Sequence, residues 1–252
     1  MEDNMDHHPL QDTVEEVINN QNFKNFETPL NFRPLAEKDE EKRLINEDRP
    51  QRVRIFKSDF LEKLTLVRWQ TIFKFWVPVI IAMVIYQNLT FKTSFLLNLS
   101  LLFLGILTWT LAEYLIHRYP FHWSPNSKWG KQLVYTMHGN HHDDPFDPLR
   151  GVMPIAPAIL YVTLLYGFFY IILPATILNG FFAGFLVGYL CYDGIHYYTH
   201  HAKPKNPIGK YLRRVHLGHH VHDDTMFGIS SPLWDIVFGT YVKRGYKVPK
   251  EF

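Results

Sequence analysis

The sequence predicts an all-α integral membrane protein, with four transmembrane helices and a cytosolic helical cap. Three observations favour this fold. Four apolar stretches approach the length of about 20 residues that a helix needs to cross a bilayer. Histidines recur at helical spacing directly after two of these stretches, and Lys and Arg residues are gathered on one side of all four. The cap is therefore expected at the end of the spans where the histidines lie.

The first 55 residues differ in character from the rest of the chain. They are polar, rich in charges of both signs and interrupted by Pro9, Pro29, Pro34 and Pro50. Such a composition is typical of a flexible tail. We therefore divide the chain into a cytosolic tail, 1–55, and a membrane-embedded domain, 56–252. The net charge of +2 gives no indication of nucleic-acid binding, and the tail carries no secretory signal pattern.

A short helix is expected at 58–67, before the first span. Apolar residues recur there at helical spacing, and Asp59 and Glu62 form an Asp-x-x-Glu capping pattern. This helix would lie along the lipid headgroups or pack against the spans. The pattern does not separate the two positions.

The four spans are predicted at 72–86, 95–116, 152–173 and 177–198. Lys74 in the first can extend to the interface, and the prolines near the start of the third are tolerated there. Short links join the first span to the second and the third to the fourth. The sequence thus predicts two helical hairpins.

The distribution of basic residues sets the orientation. Every Lys and Arg except Lys92 lies within 24–74, 118–150 or 203–250, which are the tail with the start of the first span, the middle loop and the C-terminal part. Because basic residues are enriched in cytoplasmic loops, both termini and the middle loop are predicted to be cytosolic. The histidine groups then share the cytosolic face.

Ten histidines form four groups beside the apolar stretches. They are His117 and His122; His138, His141 and His142; His196 and His200; and His216, His219 and His220. A helix places residues i, i+3 and i+4 on one face, so each His-x-x-His-His triplet is expected to aim three imidazoles at one point. Pro120 is expected to end a helix and to fold the ring of His122 back toward that of His117.

Ten imidazoles exceed what one metal ion binds. Two ions with about five ligands each would use all ten, so the count favours a dinuclear centre. Histidine is costly to bury unless its ring nitrogens are paired, and no cheaper structural explanation covers four such groups. His201 and His222 are weaker candidates, which would lie behind the ligands or on the substrate side.

The donor type limits the chemistry. All-imidazole sets suit iron, zinc, copper or manganese, and the single Cys191 supports neither an iron–sulfur nor a zinc–thiolate site. Nearby acids would either bridge the metals or orient the imidazoles: Asp143, Asp144, Asp193, Asp223 and Asp224. We favour the orienting role for Asp193, which shares a helix face with His196, and for Glu113, one turn before His117.

These residues carry a family resemblance. The segments EYLIHRYPFH (113–122), HGNHH (138–142), YDGIHYYTHH (192–201) and RRVHLGHH (213–220) resemble the four motifs of fatty acid 2-hydroxylases, in the fatty acid hydroxylase and sterol desaturase superfamily. The resemblance covers about 56–241, including FGI (227–229) and SPLWDIVFGT (231–240). It implies that all ten grouped histidines bind two metal ions, with iron for catalysis and zinc possible in a structure.

The resemblance also implies a reaction. O2 and two electrons would hydroxylate C2 of a long or very long fatty acyl chain, free or in ceramide, for sphingolipid synthesis in the endoplasmic reticulum membrane. The tail has no His-Pro-Gly-Gly haem motif, and the chain is similar to the short form without a cytochrome b5 domain. Electrons would then come from a separate cytochrome b5 and its NAD(P)H-dependent reductase.

Other functions share parts of this pattern. Sterol desaturases, sterol C4-methyl oxidases and carotenoid hydroxylases use a similar histidine plan, although the flanks and the His-x4-His spacing of the first group argue against the sterol enzymes. A membrane protein that stores or transports metal would also need histidines. It would place them within the spans or in loose loops more often than in two such triplets.

Overall fold

A computed structural model describes residues 52–242, and every regular element in that range is helical. Most of the predicted tail, 1–55, lies outside the described residues. The helices are α1 (Asp59–Leu64), α2 (Trp69–Phe91), α3 (Phe95–Ile116), α4 (Lys128–Val134), α5 (Asn140–Asp143), α6 (Ile155–Ile172), α7 (Ala175–His201), α8 (Pro207–Val221) and α9 (Leu233–Val237).

Four of these helices are long and apolar enough to cross a membrane, namely α2, α3, α6 and α7. The protein is thus a multi-pass membrane protein, as predicted. The spans α2 and α7 extend beyond the predicted apolar stretches because polar residues continue each helix. The third span starts later than predicted, at Ile155, because Pro154 adopts an extended conformation and forms its N-cap.

The α7 helix is the centre of the bundle. Its most apolar 18-residue window is 67% buried, whereas those of the other three spans are 11 to 17% buried and face outward. Glycines let α3 approach α7 closely: a Cβ atom on Gly105 would lie 2.1 Å from the Phe181 carbonyl oxygen, and one on Gly184 would lie 2.2 Å from that of Leu102. Small residues of this kind drive helix packing in lipid, where apolar burial gives little advantage.

The α1 helix is capped differently from the predicted pattern. The hydroxyl of Ser58, not Asp59, accepts the first free backbone N–H, from Leu61. Glu62 instead turns inward, accepts hydrogen bonds from the N–H groups of Ile55 and Phe56, and pairs with Arg150. A buried carboxylate needs such partners, so this position served packing rather than capping.

The ends of α3 and α7 that carry histidines meet on one side of the bundle, and α8 returns to the same place. Asn206 caps α8 by accepting from the Gly209 N–H at 2.7 Å, and Pro207 occupies the first turn. Arg213 of α8 donates to the carbonyl groups of Thr199 and His200 at the end of α7, and to that of the C-cap residue Ala202 at 2.8 Å. A cation suits the negative end of a helix dipole, and this contact fixes α8 against α7.

The close approach of α3 and α7 makes a testable prediction. Gly184→Ala should lower the free energy of unfolding by about 1–3 kcal/mol, because the new methyl group would overlap backbone atoms that cannot move aside. Gly167→Ala in α6 is the matched control, since nothing lies within 4 Å of a Cβ atom there. Thermal unfolding in detergent, followed by tryptophan fluorescence, would measure both. Equal unfolding temperatures would contradict the packing described for α3 and α7.

Candidate metal centre

The ten grouped histidines form two clusters of five. The first cluster contains His117, His122, His138, His142 and His219, and the second contains His141, His196, His200, His216 and His220. Within each cluster, one ring nitrogen from every residue lies within 4.8 Å of all the others. Each cluster could hold one metal ion.

The clusters divide both His-x-x-His-His triplets. His138 and His142 belong to the first cluster while His141 belongs to the second, so the prediction that each triplet aims at one point was wrong. Positions i+3 and i+4 differ by about 100° around a helix axis, since one turn takes 3.6 residues. Residues i and i+4 therefore face one metal position, and residue i+3 faces the other. The later triplet divides in the same way, with His219 as the separate member.

Two π-helical turns help to form the first cluster. The α3 helix continues through Pro120 in a π turn, His117–Phe121, and a second one, Tyr135–Gly139, precedes α5. The prediction that Pro120 ends the helix was wrong, because the wider turn accommodates it. The prediction that the two rings approach each other is confirmed, with ring centroids 5.1 Å apart for His117 and His122. Such turns are frequent at functional sites.

The Nε2 atoms converge within each cluster. In the first, the Nε2 atom of His138 lies 3.0 Å from that of His117 and 2.9 Å from that of His142. In the second, the Nε2 atom of His200 lies 3.0 Å from that of His141 and 2.6 Å from that of His216. Two nitrogens bound to one ion at about 2.1 Å and at right angles would lie about 3.0 Å apart. The spacing fits a shared ion.

Hydrogen bonds at the opposite ring nitrogens support this fit. The Nδ1 atom of His117 lies 2.6 Å from the Phe227 carbonyl oxygen, and that of His219 lies 2.7 Å from the Thr225 carbonyl oxygen. Because a carbonyl oxygen only accepts, both Nδ1 atoms carry the proton and both neutral rings present an Nε2 lone pair. The Nε2 atom of His117 faces that of His138, an arrangement that a cation between them stabilises.

Burial keeps the imidazoles neutral. It lowers the pKa of His142 from 6.5 to about 4, and it lowers the pKa values of His216 and His219 well below 6.5. Neighbouring histidines add to the effect on His216 and His219 by electrostatic repulsion. Neutral imidazole is the form that binds metals. These histidines therefore fit the two metal ions that their number predicted.

The two clusters are adjacent. The ring centroids of His142 and His220, one from each cluster, are 4.3 Å apart, and those of His138 and His141 are 5.7 Å apart. The arrangement is that of a dimetal site. No carboxylate belongs to either cluster within 52–242, so the nearby acids do not take the bridging position.

Both acids predicted to orient the imidazoles are buried. Neither bonds to a clustered histidine; each bonds to residues near the backbone groups that hold one. Glu113 accepts from the N–H groups of Ile229 and Ser230, next to the segment whose carbonyl oxygen binds His117. Asp193 contacts Tyr189 and the backbone of Met153, two residues after Gly151, whose backbone bonds to His196.

Asp235 is a further buried acid close to the first cluster, and the sequence did not predict it. It accepts from the N–H groups of Phe227 and Gly228 at 2.8 and 2.7 Å. The acid in the segment SPLWDIVFGT was the only sequence signal for it. His201 lies outside both clusters, with its ring against Tyr197 at 4.2 Å, and His222 is likewise in neither cluster.

A cavity of about 360 Å³ opens beside both clusters. His138 of the first cluster and His141 and His196 of the second contribute to its wall. Most of the remaining wall is apolar, and it includes Phe56, Leu61, Leu64, Phe121, Leu133 and Met153. Apolar clefts with a few polar groups are the usual form of small-molecule sites.

Four spans with this buried centre define a membrane protein of the histidine-rich dimetal class. Comparisons with known proteins specify the class further. Residues 102–240 match the fatty acid hydroxylase family. The chain is 43% and 39% identical to two dihydroceramide fatty acyl 2-hydroxylases of Arabidopsis thaliana, each alignment covering 74% of this chain and 79% of the relative.

Relatives of lower sequence identity are also hydroxylases. A fatty acid 2-hydroxylase of Rattus norvegicus is 37% identical over 75% of this chain and 57% of its own length. The solved structure of full-length scs7p, in which only the hydroxylase domain is visible, superimposes with a TM-score of 0.69 at 35% identity, covering 73% of this chain and 70% of that one. The chain belongs to the fatty acid hydroxylase family, as a fatty acid 2-hydroxylase-type enzyme with a histidine-rich dimetal site.

The division of the triplets predicts distinct metal losses. The double variant His142→Ala, His219→Ala removes two members of the first cluster and should lose one of two ions. The double variant His219→Ala, His220→Ala removes neighbours that belong to different clusters and should lose both. His201→Ala is the control and should keep both. Metal per chain, measured by inductively coupled plasma mass spectrometry, tests this; equal losses in the two double variants would contradict the clusters.

Proposed function

We propose that the protein hydroxylates C2 of long or very long fatty acyl chains, free or in ceramide. The observation that carries this proposal is the apolar cavity whose wall includes histidines of both clusters. An acyl chain in the cavity would lie beside histidines of both clusters. The names of the plant and mammalian relatives support the same position of attack.

In this proposal the ten clustered histidines are the metal ligands. The bound metals, which we take to be iron, would supply the activation of O2 that side chains cannot perform. In the overall reaction, C2–H becomes C2–OH, the second oxygen atom leaves as water, and two electrons and two protons are consumed. The role of the chain is to position the substrate, since orientation alone can contribute several kcal/mol to a rate.

The cavity wall has apolar groups for the acyl chain and polar groups for the polar end of the substrate. Leu61, Leu64 and Phe121 would contact the acyl chain and exclude water. Thr136 and Tyr161 also line the wall, and their hydroxyl groups would hydrogen-bond the hydroxyl or amide group at the substrate's polar end.

We further propose that the centre lies at the cytosolic face of the endoplasmic reticulum membrane, with both termini cytosolic. The excess of Lys and Arg on the histidine side supports this orientation. Electrons would come from a separate cytochrome b5 and its NAD(P)H-dependent reductase. His122, His142 and His220 are partly exposed, so they form the edge of the centre that an electron carrier can approach.

Lipid analysis tests the reaction. In cells that lack an endogenous 2-hydroxylase, the intact chain should produce sphingolipids with one added oxygen at acyl C2, and the His219→Ala, His220→Ala variant should not. Mass spectrometry with fragmentation locates the oxygen. Unchanged sphingolipids, with the protein inserted and cytochrome b5 supplied, would exclude this substrate, and sterols would be analysed next because sterol desaturases and C4-methyl oxidases are the alternatives.

The cavity makes a separate prediction. Leu64→Trp places a larger ring in the wall and should lower 2-hydroxylation roughly tenfold or more, because small displacements of a substrate cost large factors in rate. Metal content should not change, since α1 carries no histidine. Phe60→Trp in the same helix is the matched control, because Phe60 is 70% exposed and lies outside the cavity wall. Equal activity of the two variants would exclude this cavity as the acyl site.

A further inference from the structure

Two imidazoles of the first cluster bind to one short segment of backbone. His219 donates through Nδ1 to the Thr225 carbonyl oxygen, and His117 donates through Nδ1 to that of Phe227. We call residues 225–230 the closing segment. The positions of its two carbonyl groups determine which nitrogen of each ring carries the proton and where each Nε2 atom points.

Two buried carboxylates hold the closing segment. Asp235 accepts from the N–H groups of Phe227 and Gly228, and Glu113 accepts from those of Ile229 and Ser230, all at 2.7 to 2.8 Å. Four consecutive N–H groups are therefore bound by acids. Asp235 is 0% exposed and Glu113 is 3% exposed. Burying a carboxylate is costly unless it is hydrogen-bonded, so each acid and the segment depend on the other.

Several contacts constrain the backbone around the two carbonyl groups. Met226 has a φ of 55°, an unfavourable conformation for a residue with a side chain, and its N–H group donates to the Thr240 carbonyl oxygen at 3.1 Å. A Cβ atom on Gly228 would lie 2.2 Å from the Ser231 carbonyl oxygen. Strained conformations persist where several contacts determine them together. The hydrogen bonds to Asp235 and Glu113 are two of these contacts.

The closing segment and its two acids contact only the first cluster in the described part of the chain. Glu113 lies one turn before His117 on α3, so the helix that supplies one ligand also grips the segment that orients it. In the described part of the chain, no hydrogen bond joins the closing segment to a histidine of the second cluster; His196 bonds instead to the backbone of Gly151. The two metal positions thus have separate supports.

We propose that Asp235 and Glu113 are positioning residues for the first metal ion only. Through the carbonyl groups of Phe227 and Thr225 they fix His117 and His219 in the form that is protonated at Nδ1. They thereby set the affinity of one ion of the pair. This inference rests on the proposed ligand role of the two clusters.

Metal retention tests it without reference to the reaction. Full-length protein, purified in detergent with its bound metal, is treated with increasing EDTA, and ions per chain are counted by mass spectrometry. Asp235→Asn should lower the affinity of the protein for one ion by about 10- to 100-fold and leave its affinity for the other ion unchanged. Glu113→Gln should also lower the affinity for one ion only. This second variant tests the proposal if Asp235→Asn fails to fold.

Asp147→Asn is the matched control. Asp147 is a buried acid that accepts from Arg52 and from the Leu149 N–H group, and its hydrogen bonds reach neither cluster. This variant should keep both ions with the EDTA resistance of the unsubstituted protein. A purely structural role for Asp235 would instead weaken both ions alike, as a loss of overall stability would.

Combined variants identify the ion. Asp235→Asn with His142→Ala should retain as much metal as His142→Ala alone, whereas Asp235→Asn with His220→Ala should lose both ions under the same EDTA. The proposal is overturned if Asp235→Asn keeps both ions as tightly as the unsubstituted chain, or if both weaken equally. An inactive enzyme with the expected metal losses would contradict the proposed reaction alone.

Discussion

Ten imidazoles in one buried volume are compatible only if they are neutral and share cations, and the rest of the structure depends on this constraint. Burial lowers the pKa of the His142 ring to about 4 and the pKa values of His216 and His219 well below 6.5, which favours neutral rings and avoids repulsion between charged ones. When neutral rings have Nε2 atoms about 3 Å apart, the lone pairs of these atoms face and repel each other. Metal ions between them turn this repulsion into bonding, so metal binding and the stability of the cap are linked.

The bundle brings the histidines together by close backbone packing. The glycines of α3 and α7 allow the two helices to touch, and their ends then supply His117, His196 and His200 from one side of the membrane. Arg213 joins the middle of α8 to the end of α7, which adds the last triplet. A long-range arrangement of helix ends thus does what no local motif can do: it places five donors around each of two points.

The same arrangement suits a substrate that arrives from the bilayer. The cavity is apolar, lies against both clusters, and is bounded by α1 and the loop before α6. The partly exposed rings of His122, His142 and His220 do not line this cavity. In the proposed reaction, the lipid and the electron carrier would therefore approach different parts of the centre. The supports of the two metals are separate as well, and this permits the two ions to differ in affinity.

Much of this protein could be predicted from its sequence. Hydropathy and the basic residues predicted four spans with the histidines on one face, because membrane insertion depends on local composition. Histidine spacing predicted the ten residues and the count of two clusters. The sequence alone could not assign His141 and His219 to the opposite cluster from their neighbours, since that depends on how helices are rotated against each other. Nor could it identify Asp235, whose hydrogen bonds with the backbone of Phe227 and Gly228 depend on the tertiary arrangement of this part of the chain. Composition and periodicity determined the four spans and the histidine groups, because both depend on the local order of residues, while tertiary packing decided which histidine belongs to which cluster.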